Sequence, residues 1–125
     1  MARKKAKNPK WLSAVETHDY AAAVSYLSLV YPAREAVKLA AALRRSPLVQ
    51  FKAKDIFRAS RLSLLGVSNS HVDKDRQKIK RGIGISPLLL VRDRQTSTVV
   101  IADGYHRLCA VYRFDEDALI PCKIV

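Results

Sequence analysis

The strongest constraint on the fold of this chain is a junction near its C-terminus, where an apolar run passes through a glycine into an amphipathic segment. The run Thr98–Ala102 (TVVIA) is rich in β-branched residues and predicts a strand. Asp103-Gly104 interrupts it, and Tyr105–Phe114 has the spacing of a helix with one buried side. A strand that leads directly into a helix predicts a fold in which helices cover a sheet.

Three further segments predict the other strands of that sheet. The near-continuous apolar run PLLLVR, residues 87–92, is typical of a buried strand, and a polar turn follows it. The segment VQFKA alternates apolar and polar residues, and IPCKIV follows an acidic turn at residues 115–117. We therefore expect a mixed α/β (α+β) fold whose small sheet is built from Val49–Ala53, Leu88–Val91, Thr98–Ile101 and Ile120–Val125.

The first part of the chain predicts helices. Asn8-Pro9 is a plausible helix start, and Tyr31-Pro32 separates this helix from a second one. In the second helix the apolar residues recur at i, i+3, i+4 and i+7, and Ser46-Pro47 ends it. The alanine-rich composition favours a helical hairpin packed on the rest of the domain over a DNA-binding helix-turn-helix. The recurring residues are Ala36, Leu39, Ala40 and Leu43.

Two shorter helices are expected between the first and second strands. Residues 54–65 predict one, and residues 66–71 have the composition of a loop. Asp73 is then the expected N-cap of a helix over Lys74–Arg81, which Gly82 ends. This helix is rich in basic residues and poor in apolar ones, so it is expected to be mostly exposed.

Length and composition limit the class of protein. With 125 residues and 49% apolar residues, the chain has the size and balance of one globular domain. We divide it into a flexible basic arm (1–10), an N-terminal helical region (11–46) and a sheet domain (47–125). No apolar run approaches the roughly 20 residues of a membrane-spanning helix. Cys109 and Cys122 form no CxxC motif, which favours reduced thiols in a cytoplasmic protein.

The net charge of +12 favours anionic partners. The excess lies in residues 1–91, because residues 92–125 carry five basic and five acidic side chains. The arm has nothing to bury, and we weigh a nucleic-acid contact against a solvated tail for it. Its candidate nucleic-acid contacts are Arg3, Lys4, Lys5, Lys7 and Lys10.

The strand–glycine–helix junction also carries the candidate chemistry. The backbone N–H groups of Gly104, Tyr105 and His106 are expected to be free at the helix start, where they can bind an anion. His106 and Arg107 add donors, and arginine can hold a phosphate through two hydrogen bonds. The alternative is a capped helix whose arginine holds a nearby carboxylate. Asp103 is either the N-cap of this helix or a weak Mg²⁺ ligand, and it is also the catalytic candidate. Tyr105 is placed at the mouth of the site, where it can stack on a base.

These residues carry a resemblance to a known family. Asp103-Gly104-Tyr105-His106-Arg107, followed by Ala110 and by the strand Ile120–Val125, resembles the signature of the ParB/sulfiredoxin superfamily. The resemblance covers residues 72–125 best and does not extend to the N-terminal helices. It implies a nucleotide-phosphate site at Gly104, His106 and Arg107. It also implies contacts from the preceding helix, where Arg76 and Lys80 are the candidates.

The resemblance implies a nucleoside triphosphate (ATP or CTP) as ligand, with Mg²⁺ as a candidate ion, and DNA as a partner. The function expected is therefore a ParB-like, nucleotide-binding, DNA-associated protein, with nucleotide hydrolase or nuclease activity left open. Tyr105 stands where sulfiredoxins have their catalytic cysteine, which argues against that activity. The alternatives are a kinase acting on a free amino acid, with Asp103 or Asp73 as base, and a catalytically silent binding module. A homodimer remains open.

Overall fold

A computed structural model describes residues 8–64 and 69–125 of the chain. Within these residues it contains five helices and four strands, which confirms the α+β class. The helices are α1 (Thr17–Val30), α2 (Ala33–Arg45), α3 (Ala53–Ser60), α4 (Ser70–Lys80) and α5 (Tyr105–Phe114). The strands are β1 (Val49–Lys52), β2 (Leu88–Asp93), β3 (Thr98–Asp103) and β4 (Leu119–Ile124).

The four strands form one mixed sheet in the order β1-β4-β2-β3. β1 pairs antiparallel with β4, β2 pairs antiparallel with β3, and β2 and β4 lie parallel at the centre. The parallel pair requires a crossover connection, which is provided by β3 and α5. This crossover brings the start of α5 to one end of the central strands, where the candidate site lies.

Helices cover both faces of the sheet. Along β2 the buried side chains alternate: Leu88 and Leu90 pack in one core with α3, α4 and α5. Leu89 and Val91 pack in a second core with α1 and α2. This alternation follows from the two-residue period of a strand. It explains why residues 88–91 are all apolar, since a strand covered on both faces has no solvated side.

The predicted helical hairpin is confirmed. α1 and α2 are joined at Tyr31-Pro32 and pack against each other and against the sheet. The side chains that α1 and α2 bury are mainly small or aliphatic, which allows close approach to the strands. They include Ala23, Leu27, Ala36 and Leu43.

The expected helix start at Asn8-Pro9 is wrong, because α1 begins at Thr17. The preceding backbone pairs instead with a segment far along the chain. The N–H of Leu12 donates to the Ile85 carbonyl, and the N–H of Ile85 donates to the Lys10 carbonyl, each at 2.9 Å. These bonds use backbone groups that a helix would need for its own ladder.

The expected cap and start of α4 are also wrong. Asn69, not Asp73, is the N-cap: its side-chain oxygen accepts hydrogen bonds from the N–H groups of His71 and Val72. The earlier start places Val72 on the same side as Ile79, so that the helix buries two apolar side chains. The loop expected through residue 71 therefore ends earlier, and its residues 66–68 lie outside the described part.

The C-terminal ends of α3 and α4 also bear on the prediction. The helix expected over residues 54–65 is shorter, since α3 ends at Ser60 and Arg61 has a left-handed backbone. Gly82 follows α4 with φ of +68°, as expected for a residue that ends a helix. In residues 8–64 and 69–125, no helix combines the length and the apolar composition that crossing a bilayer requires.

Candidate functional site

The junction between β3 and α5 has the predicted strand–glycine–helix form. β3 ends at Asp103, Gly104 is the N-cap with φ of +105°, and α5 begins at Tyr105. The first intrahelical hydrogen bond runs from the N–H of Leu108 to the Gly104 carbonyl, at 2.9 Å. The N–H groups before Leu108 have no helical acceptor, and Gly104 has no side chain to offer one. The helix start is therefore built as an anion-binding end.

Gly104 is required at this position for two separate reasons. Its backbone lies in the left-handed region that favours glycine. A Cβ atom here would also lie 2.8 Å from Leu88 Cγ and 2.9 Å from Arg107 Nη2. The glycine thus lets the guanidinium of Arg107 pass directly beside the backbone at the helix start.

Arg107 is held by acceptors within the protein. Its Nη2 donates to Asp103 Oδ2 at 3.1 Å, to Asp19 Oδ2 at 3.3 Å and to the Pro87 carbonyl at 3.4 Å. The side chain is only 17% exposed. The hypothesis of an arginine that holds a nearby carboxylate therefore describes Arg107 better than that of a free phosphate clamp. Asp103 does not cap α5, because its carboxylate bonds Arg107 one turn along the helix.

Asp19 is a site residue that the sequence analysis missed. It comes from α1, lies 88 residues from Arg107 along the chain, and has a side chain only 4% exposed. Its other oxygen, Oδ1, lies 3.2 Å from Nε2 of His18. The N-terminal hairpin thus contributes a buried carboxylate to the site. The one sequence signal for this role is that Asp19 is an acidic residue among the mostly apolar positions of α1.

The electrostatics of this cluster are dominated by Asp103. Burial raises the pKa of the Asp103 carboxyl, the Arg107 guanidinium opposes that rise, and the nearby Asp19 carboxylate adds to it. We call Asp19, Asp103 and Arg107 the closed cluster, because each charge faces an opposite charge at 3.3 Å or less. Two carboxylates thus share one buried guanidinium.

The donor set around Asp103 does not fit a protein-held Mg²⁺ ion. Its Oδ2 already accepts from Arg107, whose positive charge opposes a divalent cation at the same oxygen. Within the described residues, no three histidine, cysteine or carboxylate side chains gather in a form that holds a metal. Asp103 is thus engaged as a partner of Arg107, and its role as a weak magnesium ligand stays a prediction.

A polar cleft of about 210 Å³ lies between α4 and the start of α5. α4 provides two lysines, a histidine and an aspartate on one side of the helix. The junction provides the opposite wall. The residues that line this α4–α5 cleft are His71, Lys74, Asp75 and Lys78 from α4, and Asp103, Gly104, His106 and Arg107 from the junction.

The α4 residues in the cleft differ from those predicted. At 100° per residue, Lys74 and Lys78 lie on one flank of the stripe that buries Val72 and Ile79. Arg76 and Lys80 lie on the other flank and do not line the cleft. Arg76 instead pairs with Asp73 at 3.7 Å, so the two residues occupy that flank together.

Two imidazole rings face each other across the cleft. The ring centroids of His71 and His106 are 4.9 Å apart, with a tilt of 41°. Burial lowers the pKa of His106, His71 and Arg107 lower it further, and Asp75 opposes them. Burial also raises the pKa of Asp75, against the pull of Arg107 and the neighbouring cations.

One donor in this region lacks a partner. Nε of Arg107 is buried and has no hydrogen-bond acceptor among the residues that the structure describes. A buried, unpaired donor is unfavourable by about 1–3 kcal/mol. Because the atom is closed to solvent, its lack of a partner belongs to the packing around the guanidinium.

Other predicted residues are placed as follows. Tyr105 donates its hydroxyl hydrogen bond to the Ser63 carbonyl, and its ring lies 5.6 Å from the His106 ring. Cys109, one turn further, is fully buried and out of reach of a substrate. Of the basic arm, Lys10 is exposed, whereas Arg3, Lys4, Lys5 and Lys7 lie outside the described residues.

Comparison of the chain with protein-family models, with curated proteins and with solved structures found no match.

Proposed function

We propose that this protein binds a nucleoside triphosphate through its phosphates in the α4–α5 cleft. The observation that carries the proposal is the meeting of two independent anion-binding elements. The uncapped start of α5 supplies backbone N–H groups, and α4 supplies Lys74 and Lys78 on the opposite wall. Both elements direct positive potential into one small, polar volume.

The residues of the cleft take separate roles in this proposal. The N–H groups at Gly104 and His106 hold one phosphate group, and the two lysines neutralise the others as point charges. Arg107 contributes its positive charge at the wall of the cleft, because its Nη2 is already used by the closed cluster. The resemblance to the ParB/sulfiredoxin superfamily supports ATP or CTP as the class of ligand.

The proposal concerns binding and not turnover. A general base near the phosphates needs a carboxylate that is free to accept a proton. Asp103 is bonded to Arg107 and Asp73 lies on the far flank of α4. Neither is placed as the kinase or hydrolase alternative requires.

Association with DNA is proposed on charge alone. The net charge of +12 and the basic arm favour binding to phosphates. The expected signature is an affinity that falls steeply and linearly with salt on a logarithmic plot. An affinity for a DNA duplex that hardly changed with salt would contradict it.

Thermal unfolding with each common nucleoside triphosphate, and with tripolyphosphate, tests the cleft. A ligand at about 100 times its Kd adds roughly 2.7 kcal/mol of stability. We expect this stabilisation for at least one nucleotide, and about half of it or less in the double variant Lys74→Gln/Lys78→Gln. A hydrogen bond to a charged group contributes about 1.5–3 kcal/mol, so affinity should fall at least about tenfold.

The matched control is Arg76→Gln/Lys80→Gln, which removes the same charge from the other flank of the same helix. This variant should bind as the wild type does. Equal losses in both double variants would show that overall charge, and not the cleft, attracts the ligand. No stabilisation of the wild type by any of these ligands would refute the proposed function.

A further inference from the structure

A second cavity adjoins the α4–α5 cleft on the other side of the junction. It has a volume of about 400 Å³, and most of its lining is aromatic or aliphatic. It shares Asp103, Gly104 and His106 with the cleft. We call it the tyrosine cavity; its other lining residues are Ala22, Tyr26, Leu62, Ile101, Ala102 and Tyr105.

The N-terminal hairpin builds one wall of the tyrosine cavity. Ala22 and Tyr26 are four residues apart on α1 and therefore lie on the same side of the helix. The small side chain of Ala22 leaves room beside the sheet, and Tyr26 is 45% exposed although it is a large aromatic residue. Tyr26 thus lines the cavity without being part of either core.

The opposite wall is fixed in place. Tyr105 is anchored by its hydroxyl on the Ser63 carbonyl, so its ring is held at the first turn of α5. Rings with few free torsions make efficient stacking surfaces because little conformational entropy is lost on binding. Two tyrosines, one from α1 and one from α5, therefore line a cavity of about 400 Å³.

The linings of the two cavities together are suited to one kind of ligand. The cleft is polar and basic, and at about 210 Å³ it is smaller than the roughly 300–1,000 Å³ of ordinary ligand sites. The tyrosine cavity is lined mainly by uncharged residues and borders the cleft at Asp103, Gly104 and His106, which line both. A ligand that fills both has an anionic end and a flat, mostly apolar body.

We infer that the tyrosine cavity takes the base of the nucleotide and that Tyr26 of α1 is its specificity-determining contact. The inference rests on the proposed function, since the phosphates must occupy the neighbouring cleft. It gives the N-terminal hairpin a part in ligand binding, beyond covering the sheet. A base stacked on an aromatic side chain is expected to improve affinity by at least about fivefold.

Calorimetric titration with ATP, CTP and tripolyphosphate tests the inference on the full chain. The wild type should bind one of the nucleotides at least about fivefold more tightly than tripolyphosphate. Tyr26→Ala should abolish that preference and leave tripolyphosphate binding unchanged. Tyr26→Phe should retain the preference, and so should Leu29→Ala, which changes a residue of α1 that is 86% exposed and outside the cavity.

The possible failures are distinguishable. If the wild type binds no ligand, the proposed function and this inference both fall. If it binds tripolyphosphate as tightly as the nucleotides, or if Tyr26→Ala keeps the preference, only the base site is refuted. The last ligand in the titration is a single strand of ten nucleotides. If the protein binds this strand more tightly than the mononucleotide, and Tyr26→Ala loses that advantage, the cavity takes a base of a nucleic acid instead.

Discussion

The closed cluster and the α4–α5 cleft share Asp103 and Arg107 but differ in their balance of charge. In the closed cluster the buried carboxylate of Asp19 and the partly buried carboxylate of Asp103 face one guanidinium at hydrogen-bond distance. In the cleft, Lys74 and Lys78 share one nearby carboxylate, Asp75. Acid exceeds base in the first region, and base exceeds acid in the second.

This difference separates structural charge from charge available to a ligand. Buried charges that satisfy one another hold the hairpin, the sheet and α5 together, and a phosphate would have to displace them. The cleft lysines have long, partly solvated side chains and can turn towards an incoming anion. The motif arginine, which is the most conspicuous phosphate donor in the sequence, is thus mainly a structural residue here.

Removal of the guanidinium breaks the closed cluster most directly. Arg107→Gln leaves the buried carboxylate of Asp19 and the partly buried carboxylate of Asp103 without their cation, and we expect a loss of about 3–5 kcal/mol in the free energy of unfolding at pH 7. The guanidinium lowers the folded-state pKa of Asp103, so that pKa should rise in the variant. Stability should then recover as the pH falls through the raised value, because the folded chain binds the proton first.

Urea unfolding of wild type and Arg107→Gln at several pH values measures this effect. The gap between the two proteins should be widest near neutral pH and narrowest in acid. A gap that does not change with pH would mean that the guanidinium contributes by packing alone.

The substitution of Gly104 at the junction has the next largest expected effect on stability. Gly104→Ala combines left-handed backbone strain with contacts at 2.8 Å to Leu88 and 2.9 Å to Arg107. We expect a loss of about 2–5 kcal/mol in urea unfolding. Gly82→Ala is the matched control: it has φ of +68° but nothing within 4 Å of the added Cβ, so about 1–2 kcal/mol is expected. Equal losses of stability in Gly104→Ala and Gly82→Ala would show that the neighbouring side chains move to make room for the added Cβ.

Asp19→Asn has a smaller expected effect, because Asp103 still pairs with Arg107. Loss of the charged contact should lower stability by about 1.5–3 kcal/mol. The change also removes the neighbouring negative charge that raises the pKa of Asp103, so that pKa should fall. Titration of the carboxyl group by NMR would show it, and an unchanged Asp103 pKa would mean that the two carboxylates do not interact.

The parts of the fold and site that were predicted depend on local sequence signals. The junction at Asp103-Gly104 was predicted because strand pattern, glycine and helix pattern follow one another directly. The four strands and the helical hairpin were predicted for the same reason. The cleft lysines were missed because the resemblance directed attention to Arg76 and Lys80. A helix that begins after Asp73 also leaves out Val72, and without Val72 the buried stripe that orients α4 is not visible.

The parts that were not predicted depend on contacts between distant segments. The late start of α1 follows from backbone pairing with Ile85, which no signal near Asn8-Pro9 encodes. Asp19 acts through Arg107 at a separation of 88 residues, and the tyrosine cavity needs Tyr26 and Tyr105 from different layers of the fold. Such combinations appear only when the sheet has been assembled.

The smallest expected effect concerns His106, which has a lowered pKa in the folded chain, whereas the unfolded value is 6.5. Below that pH the unfolded chain binds the proton more readily, so stability should fall as the pH decreases through 6.5 and towards the folded value. His106→Asn should lose less stability than the wild type over this window in thermal unfolding. The difference should be small because the ring is partly solvated, which screens its neighbours. Bound tripolyphosphate should reverse the sign of this pH dependence, because an anion favours the protonated ring. If the curves of stability against pH for wild type and His106→Asn are parallel both with and without tripolyphosphate, His106 takes no part in the charge balance of the cleft.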